Sequence, residues 1–420
     1  MNIWICNPFD NLVEEGSRPQ RYAMLSAEMA RRGHAVTWWT SDFSHARKAP
    51  RAKPDGTPLD RAYVNGDGVA MRLLPTRPYS RNVSLRRARS HKAFAREWLR
   101  RSSRETRDGS LPRPDLIVTS LPPISTHAAA AAMRDAFGCR LAVDIQDAWP
   151  DAFEGLLPLP APLRRPFARL LFGGARKAVR RAFLAADKIT AVSQAYLRAP
   201  EEATEDSDTP PAMAAFRLGI SEAVESIEPA TDGPLRLVYG GNMGASYDLT
   251  TLVRAVTRVE SMQPGTARLD LAGTGPDEKR LRQMAAGCKA ITFHGFLNQD
   301  EYAALLRRSE VGVIPMFGRS CVTVPNKFAD YAAAGLAILS CLPGETEELV
   351  EDIGTGATYC AENSTDLADA ILALSVDRKA LACTRQRALD LARREFLAPR
   401  IYPAMCDFLL DSLARRRGNC

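Results

Sequence analysis

In the first half of the chain, short apolar runs at residues 2–6, 35–40, 69–74, 115–119, 140–145 and 188–192 alternate with stretches whose apolar positions recur at helical spacing. Strands that alternate with helices in this way predict a parallel sheet covered on both faces. After an acidic, proline-bounded stretch (200–211) and a second polar stretch (228–234), the pattern restarts, with runs at 235–240, 268–272, 291–294, 311–315, 337–340 and 357–359. The chain therefore reads as two doubly wound, Rossmann-like α/β domains. The first spans 1–215, a linker spans 216–234, the second spans 235–395, and a closing amphipathic helix spans 396–420. Gly33-His34 reads as a helix-to-strand corner in which His34 is structural, and 42–67, rich in Pro, Gly and charge, reads as a long loop.

Open sheets of this kind bind ligands beyond the carboxyl ends of their strands, so two such domains predict a cleft. Three loops of the second half fall at such ends: Gly240-Gly241-Asn242-Met243-Gly244-Ala245-Ser246-Tyr247-Asp248, Gly273-Thr274-Gly275-Pro276 and Pro325-Asn326-Lys327. Glycine lets a backbone approach a phosphate closely, and a helix start offers it N–H groups. Over 325–339 the spacing predicts a short helix, with Pro325 blocking helix upstream, Asn326 as the cap and Gly335 as the left-handed stop. Lys327 would add a point charge to an anion there, and Asp330, one turn in, would accept hydrogen bonds from ribose hydroxyls. An ordinary capped helix explains the same residues. A GGNMG turn lacks the spacing of a GxGxxG dinucleotide site, so no nicotinamide cofactor is expected.

At 420 residues with 45% hydrophobic content, the chain is too long for one core and suits two. It has no apolar run near the ~18 residues of a spanning helix. Nine cysteines, an odd number without a CxxC pair, suggest neither a disulfide framework nor a zinc site, and point to a reducing cytoplasm. The net charge of +7 is concentrated: residues 77–113 carry twelve Arg or Lys against Glu97, Glu105 and Asp108. Arg96, Arg100 and Arg104 interleave there with Phe94, Trp98 and Leu99, and a similar cluster runs from Arg164 and Arg165 through Phe167, Leu170 and Leu171 to Arg181. Such clusters suit a helix lying on anionic lipid, equally suit nucleic acid, and equally form a plain solvated face. The membrane contact expected from the first cluster is Arg96, Trp98, Arg100 and Arg104.

The second half resembles the donor domain of retaining GT-B glycosyltransferases of family 4, especially those that build bacterial surface polysaccharides. The residues that carry the resemblance are Gly241-Asn242-Met243-Gly244 with Ser246-Tyr247-Asp248-Leu249, Leu271-Ala272-Gly273-Thr274-Gly275-Pro276, Phe293-His294-Gly295-Phe296-Leu297, and 325–339 with Gly344-Glu345. In the first half, Gly33-His34-Ala35-Val36 and Asp144-Ile145-Gln146-Asp147-Ala148-Trp149-Pro150 are similar to a family corner and a DxRDxWP-like element. The resemblance implies a GT-B fold, two Rossmann-like domains facing a central cleft. It also implies a nucleotide-diphosphate sugar held by the second domain, an acceptor held by the first, and a last helix that crosses back to the first. The implied acceptor is a lipid-linked saccharide at the cytoplasmic face of the membrane, where the protein would sit peripherally; no cofactor and no nucleic acid are implied.

The chain departs from the family pattern of two Glu eight residues apart, which fall here on Val322 and Asp330, and the usual Arg and Lys after the first donor-domain strand fall on Asn242 and Tyr247. Diphosphate charge would then be met by Lys327, Arg319 and the helix start, with Ser246 or Thr323 donating hydrogen bonds, and without a metal. The implied donor set is Gly241, Asn242, Gly244, Ser246, Tyr247, Gly273, Thr274, Gly275, Arg319, Thr323, Asn326, Lys327 and Asp330. Asp206-Ser207-Asp208 spells DxD within an acidic, solvated stretch. Asp147 is placed to orient or deprotonate the acceptor hydroxyl, or equally to cap the next turn. Gly16 and Ser17 would approach sugar or acceptor, and Arg18 and Arg21 would meet an acceptor phosphate or simply lie on the surface. A sugar-nucleotide 2-epimerase on the same fold and a non-catalytic membrane- or nucleic-acid-binding protein stay open as alternatives.

Overall fold

The computed structural model describes residues 1–417 apart from 83, 158, 228–232 and 245, and describes no side chain for 156, 161 and 412–417. The chain divides into two units, Met1–Gly219 with Pro399–Cys420, and Ile220–Ala398. The part of the expected linker at 228–232 lies outside the described residues. The part just before it belongs to the second unit: Val224 N–H donates to Ala333 O at 2.9 Å, and Ile227 packs against Gly335.

Unit 1 is built on strands β1 (Asn2–Cys6), β2 (Ala35–Ser41), β3 (Phe43–Ser44), β4 (Ala49–Pro50), β5 (Ala62–Val64), β6 (Ala70–Leu74), β7 (Leu116–Leu121), β8 (Arg140–Ile145), β9 (Lys188–Ala191) and β10 (Ala212–Ala215). Eight of them form one sheet in the order β10-β9-β8-β7-β1-β2-β6-β5, parallel except for β5 against β6. Helices α1 (Arg21–Arg31), α2 (Leu85–Arg107), α3 (Ser125–Phe137), α4 (Ala161–Ala185) and α5 (Arg198–Thr204) connect them. Central strands such as Ile3-Trp4-Ile5-Cys6 are buried on both faces, which is why they read as continuous apolar runs. The stretch 42–67 is not an open loop. It contains the β3–β4 hairpin and β5, and it is pinned by Arg51, whose guanidinium pairs with Glu15 at 2.5 Å with both side chains at most 1% exposed. β10 escaped the sequence reading because its Ala-Met-Ala-Ala lacks β-branched residues and follows an acidic stretch.

Unit 2 carries β11 (Leu235–Gly240), β12 (Ala267–Ala272), β13 (Ile291–Gly295), β14 (Val311–Ile314), β15 (Ala337–Ser340) and β16 (Gly356–Thr358). They form an all-parallel sheet in the order β13-β12-β11-β14-β15-β16. This is the 3-2-1-4-5-6 order of a dinucleotide-binding sheet, whose strand order reverses between β11 and β14. The helices are α6 (Leu249–Met262), α7 (Glu278–Met284), α8 (Gln299–Arg307), α9 (Asn326–Ala333), α10 (Glu345–Glu351), α11 (Ser364–Val376) and α12 (Arg378–Glu395). The last helix, α13 (Ala398–Arg417), belongs to unit 1 from Pro399 on, where Tyr402, Met405, Cys406 and Leu409 are at most 2% exposed.

The chain arrives in unit 2 at Ile220 and leaves it at Leu397, and these two residues pair as a short parallel bridge. Ile220 N–H donates to Phe396 O at 2.8 Å, and Ala398 N–H to Ile220 O at 2.9 Å. On the unit 1 side, Gly219 lies against the Tyr402 ring so closely that a Cβ there would sit 2.6 Å from it.

Candidate functional site

At the reversal point of the unit 2 sheet, β11 delivers the Gly241-Asn242-Met243-Gly244 turn, and the segment after β14 leads to α9. Pro325 is the N-cap of α9 and makes no side-chain capping bond, so Asn326 is the first helical residue and not the cap. Proline fixes the extended backbone that a cap position requires, which leaves Asn326 exposed at the helix start. Gly335, at φ 68°, ends the helix as expected, and the buried Arg385 guanidinium donates to its carbonyl at 2.8 Å.

Lys327 is nearly buried, at 9% exposure, and its ammonium lies 4.9 Å from the Tyr239 ring centroid and 4.4 Å from that of Tyr247. It reaches Gly241 so closely that a Cβ at Gly241 would meet Nζ at 2.3 Å. An aromatic-flanked ammonium at a helix start is a preorganised positive field, because two ring faces hold it and the first-turn N–H groups point the same way. Tyr239 is fixed in turn, its Oη donating to Asn242 O at 2.7 Å, and Tyr331 of α9 holds the end of β11, its Oη accepting from Gly240 N at 3.1 Å. Tyr239 and Tyr331 were not singled out in the sequence, since one reads as a strand residue and the other as a core residue of a helix.

The glycines of the other two loops hold the loops against each other. A Cβ on Gly273, whose φ is 117°, would lie 2.0 Å from Gly241 O, and one on Gly275 would lie 2.3 Å from Met243 O. Met243 N–H donates to Thr274 O at 3.0 Å, so the two turns form one backbone platform with Gly244 buried inside it. Asn242, Ser246, Thr274 and Arg319 are exposed on this end of the sheet, with Arg319 stacked 4.4 Å from the Phe317 centroid. Thr323 and Asp330 are half-buried, and the Thr323 carbonyl accepts from Thr346 Oγ1. Tyr247 bridges to Met316 and Asp248 caps α6, accepting from Thr251 N at 3.1 Å.

In unit 1, Asp147 follows β8 and is half-buried. Its carboxylate accepts from Ala148 N at 2.9 Å and from the Trp149 indole N–H at 3.0 Å, while burial raises its pKa above the ordinary carboxylate value. A buried carboxylate so disposed toward protonation suits proton transfer. Gly16 ends a short helical turn at φ 71°, and Ser17 and the exposed Arg18 follow it.

Arg21 is not an acceptor contact. It is 2% exposed, and its guanidinium grips Asp144 with two bonds of 2.8 and 2.7 Å. Thr190 Oγ1 and Tyr22 Oη donate to the same carboxylate at 2.6 and 2.7 Å. Position 21 opens α1, and the helix turns its first long side chain inward under the sheet.

Trp98 is likewise no membrane contact. It is fully buried with Phe94 against Trp4 and Met133, because positions 94 and 98 share the inner face of α2. Arg96, Arg100 and Arg104 remain exposed on that helix, with Arg100 tied to Glu97 at 2.6 Å. A run of exposed apolar residues lies instead on α4, where Leu163, Phe167, Leu170 and Leu171 are 58%, 47%, 84% and 55% exposed. Among the described residues no helix is long and apolar enough to cross a membrane.

Residues 234–377 match the family model "Glycosyl transferases group 1", and residues 19–201 match "Glycosyl transferase 4-like domain". Each match lies within one half of the molecule, and together they cover well over half of the chain. With the two Rossmann-like units, they make the chain a glycosyltransferase of the GT-B fold. No curated protein is matched by the sequence. Among solved structures the chain is similar to a sucrose-phosphate synthase from Thermosynechococcus elongatus, with TM-score 0.70, 14% identity and 99% of both chains covered. It is similar to Anabaena Alr3699/HepE in complex with UDP and glucose, with TM-score 0.62, 14% identity, and 98% of this chain and 100% of that one covered. It is also similar to the lipopolysaccharide outer core galactosyltransferase WaaB, with TM-score 0.59, 12% identity, and 98% and 100% covered.

Proposed function

We propose that the chain is a retaining hexosyltransferase that takes a sugar from a nucleotide-diphosphate sugar bound at the β11–α9 end of unit 2. Its acceptor would be a lipid-linked saccharide of bacterial surface polysaccharide, held by unit 1. The observation that carries the reading is Lys327, a nearly buried ammonium seated on Tyr239 and Tyr247 beside Gly241 at the start of α9. Departure of a nucleoside diphosphate develops negative charge on the leaving oxygen, and a fixed cation with helix N–H groups stabilises it without reorganising. In this reading Lys327 and Arg319 supply the charge, so no metal is needed. Asp330 and the loop hydroxyls of Ser246, Thr274 and Thr323 orient the nucleoside and sugar, and Asp147 receives or orients the acceptor proton. The likeness to HepE, solved with UDP and glucose, is consistent with this donor class.

A place at an anionic membrane surface is supported by α4. Its exposed Leu163, Phe167, Leu170 and Leu171 recur at helical spacing, and Arg165, Arg169, Lys177, Arg180 and Arg181 stand exposed around them. Apolar side chains entering the interface among cations suit anionic lipid, where each cation contributes about 1 kcal/mol.

A thermal-shift panel of nucleoside diphosphates and their sugars tests the donor reading. A ligand at ~100 times its dissociation constant stabilises by about 2.7 kcal/mol. One nucleotide class is expected to raise the melting temperature, and Lys327→Ala is expected to abolish that rise. A flat panel with the wild-type chain sinks the reading.

A further inference from the structure

We propose that the carboxyl end of the unit 1 sheet holds a pocket for a phosphate group, monoester or diphosphate, built from Arg87, Lys48 and His45 and walled by Phe9, Tyr79 and Trp149. That the phosphate belongs to the acceptor rests on the transferase reading; the anion site itself does not.

The residues converge from separate connections. Phe9 lies in the loop after β1, His45 and Lys48 in the turn of the β3–β4 hairpin, Tyr79 in the segment after β6, Arg87 in the first turn of α2, and Trp149 in the loop after β8. The main parallel strands deliver these segments from their carboxyl ends, where an open α/β sheet binds its ligands. The Arg87 guanidinium lies over both the Phe9 and the Trp149 rings, 5.3 and 4.8 Å from their centroids. Lys48 Nζ stands 3.3 Å from His45 Nδ1 and donates to Asn82 Oδ1 at 2.6 Å, while His45 Nδ1 meets Tyr79 Oη at 2.6 Å.

Three observations point from this cluster to an anion. Among the described residues, no carboxylate lies within ion-pair distance of Arg87 or Lys48, although both are half-buried; elsewhere in the unit, buried Arg21 and Arg51 each have their own acid. The Asp147 carboxylate is felt by Arg87 but is not paired with it, and half-buried cations without a direct ion pair suit an incoming anion, since desolvation has already been imposed on them. Secondly, Lys48 is one of two described non-glycine residues with positive φ, at 55°, a strained backbone of the kind that collects at ligand sites. Thirdly, burial and then the neighbouring cations pull the Lys48 ammonium down to about 8 and hold His45 and His91 neutral, near 3, which marks the field these groups feel from Arg87 as positive. Arg87 donates to Asn82 O at 2.7 Å and to His91 Nε2 at 3.3 Å, which fixes the guanidinium while using part of its five donors. The aromatic walls suit the sugar ring that such a phosphate carries.

Titration calorimetry with inorganic pyrophosphate tests this in the full-length Lys327→Met chain, which disables the unit 2 cation. Pyrophosphate is expected to bind that chain, and adding Lys48→Met and Arg87→Met is expected to weaken it at least tenfold, whereas adding Arg107→Met on the outer face of α2 is not. Equal affinity in the two chains overturns the pocket. Nucleotide titrated into the chain carrying only Lys48→Met and Arg87→Met reports the donor site separately, so failure of one site is not mistaken for failure of the other. Flotation with phosphatidylcholine vesicles, with and without phosphatidic acid, separates the sources of phosphate when both chains also carry Phe167→Glu and Leu170→Glu, so that α4 does not hold the vesicles. Loss of both pyrophosphate and phosphatidic-acid binding supports a phosphate pocket open to lipid, and loss of pyrophosphate binding alone supports one for soluble phosphates. Loss of vesicle binding with unchanged pyrophosphate affinity overturns the proposal in favour of a membrane-surface patch. If the double variant loses its far-UV circular dichroism, Lys48→Gln alone carries the test, with at least a threefold loss expected.

Discussion

Arg21 and Asp144 form an ion pair with both side chains at most 1% exposed, and Tyr22 and Thr190 satisfy the remaining carboxylate lone pairs. A pair of this kind adds little over a well-packed apolar one, but breaking it strands a buried charge. Asp144→Asn is therefore expected to lose about 3–5 kcal/mol in urea unfolding, and Arg21→Met likewise, with the loss read in stability before any acceptor KM. His127 has the opposite character. It is 2% exposed on α3 with both ring nitrogens unpaired, and burial lowers its pKa to about 4. The unfolded chain, with an ordinary value near ~6.5, binds the proton first. Its contribution is thus complete above about pH 6.5 and is lost as pH falls toward 4, by about 3 kcal/mol in all. His127→Leu is expected to stabilise the chain by about 1 kcal/mol at pH 7 and to shift acid unfolding to lower pH. A variant as acid-labile as wild type would refute the account. Neither role was visible in sequence: an arginine at a helix start and a histidine in an alanine-rich helix carry no sign of which way they point.

At the scale of elements, the parallel strands were legible because burial on both faces makes them largely apolar runs, as at 140–145 and 235–240, which the structure reproduces as β8 and β11 with only Arg140, Asp144 and Arg236 as charged members. Helix faces were less so. The α2 run was read from its charges, yet its spacing already contained Phe94 and Trp98 on one side, and the structure turns that side inward. Glycines show the same limit, since their role depends on what stands opposite. Gly273→Ala is expected to destabilise unit 2 by more than about 2 kcal/mol, because its Cβ would collide with Gly241 O at an unfavourable φ. Gly173→Ala, mid-helix in α4 with nothing within 4 Å, is expected to stabilise by about 0.5–1 kcal/mol. Thermal melts of the two variants check both signs. For the surface of α4, Phe167→Glu with Leu170→Glu should abolish flotation with anionic vesicles and leave nucleotide shifts intact, while Arg100→Glu should change flotation less.

For the whole molecule, the two-unit division could be approximated from the composition shifts after residues 200 and 228, but the chain changes unit at Gly219 and Ile220, where the sequence has no marker. The candidate donor loops were legible because glycine, proline and lysine punctuate strand ends. The phosphate cluster was not, since Phe9, Lys48, Arg87 and Trp149 are scattered in sequence and become a group only through the sheet order. Removing the chain after Ala398 strips unit 1 of Tyr402, Met405, Cys406 and Leu409, all buried there. That truncation is expected to expose unit 1 to limited proteolysis and spare 220–398; equal cleavage of both would refute it.

The paired bridge of Ile220 with Leu397 also sets an order of events during synthesis. Residues 1–219 leave the ribosome first, but their unit lacks its last helix until the final segment appears. At roughly 5–20 residues per second, they wait about ten seconds or more while 220–398 is made. Unit 2, closed on itself by that bridge, has all of its strands by then and can finish first. The half of the protein that is begun earliest is therefore completed last.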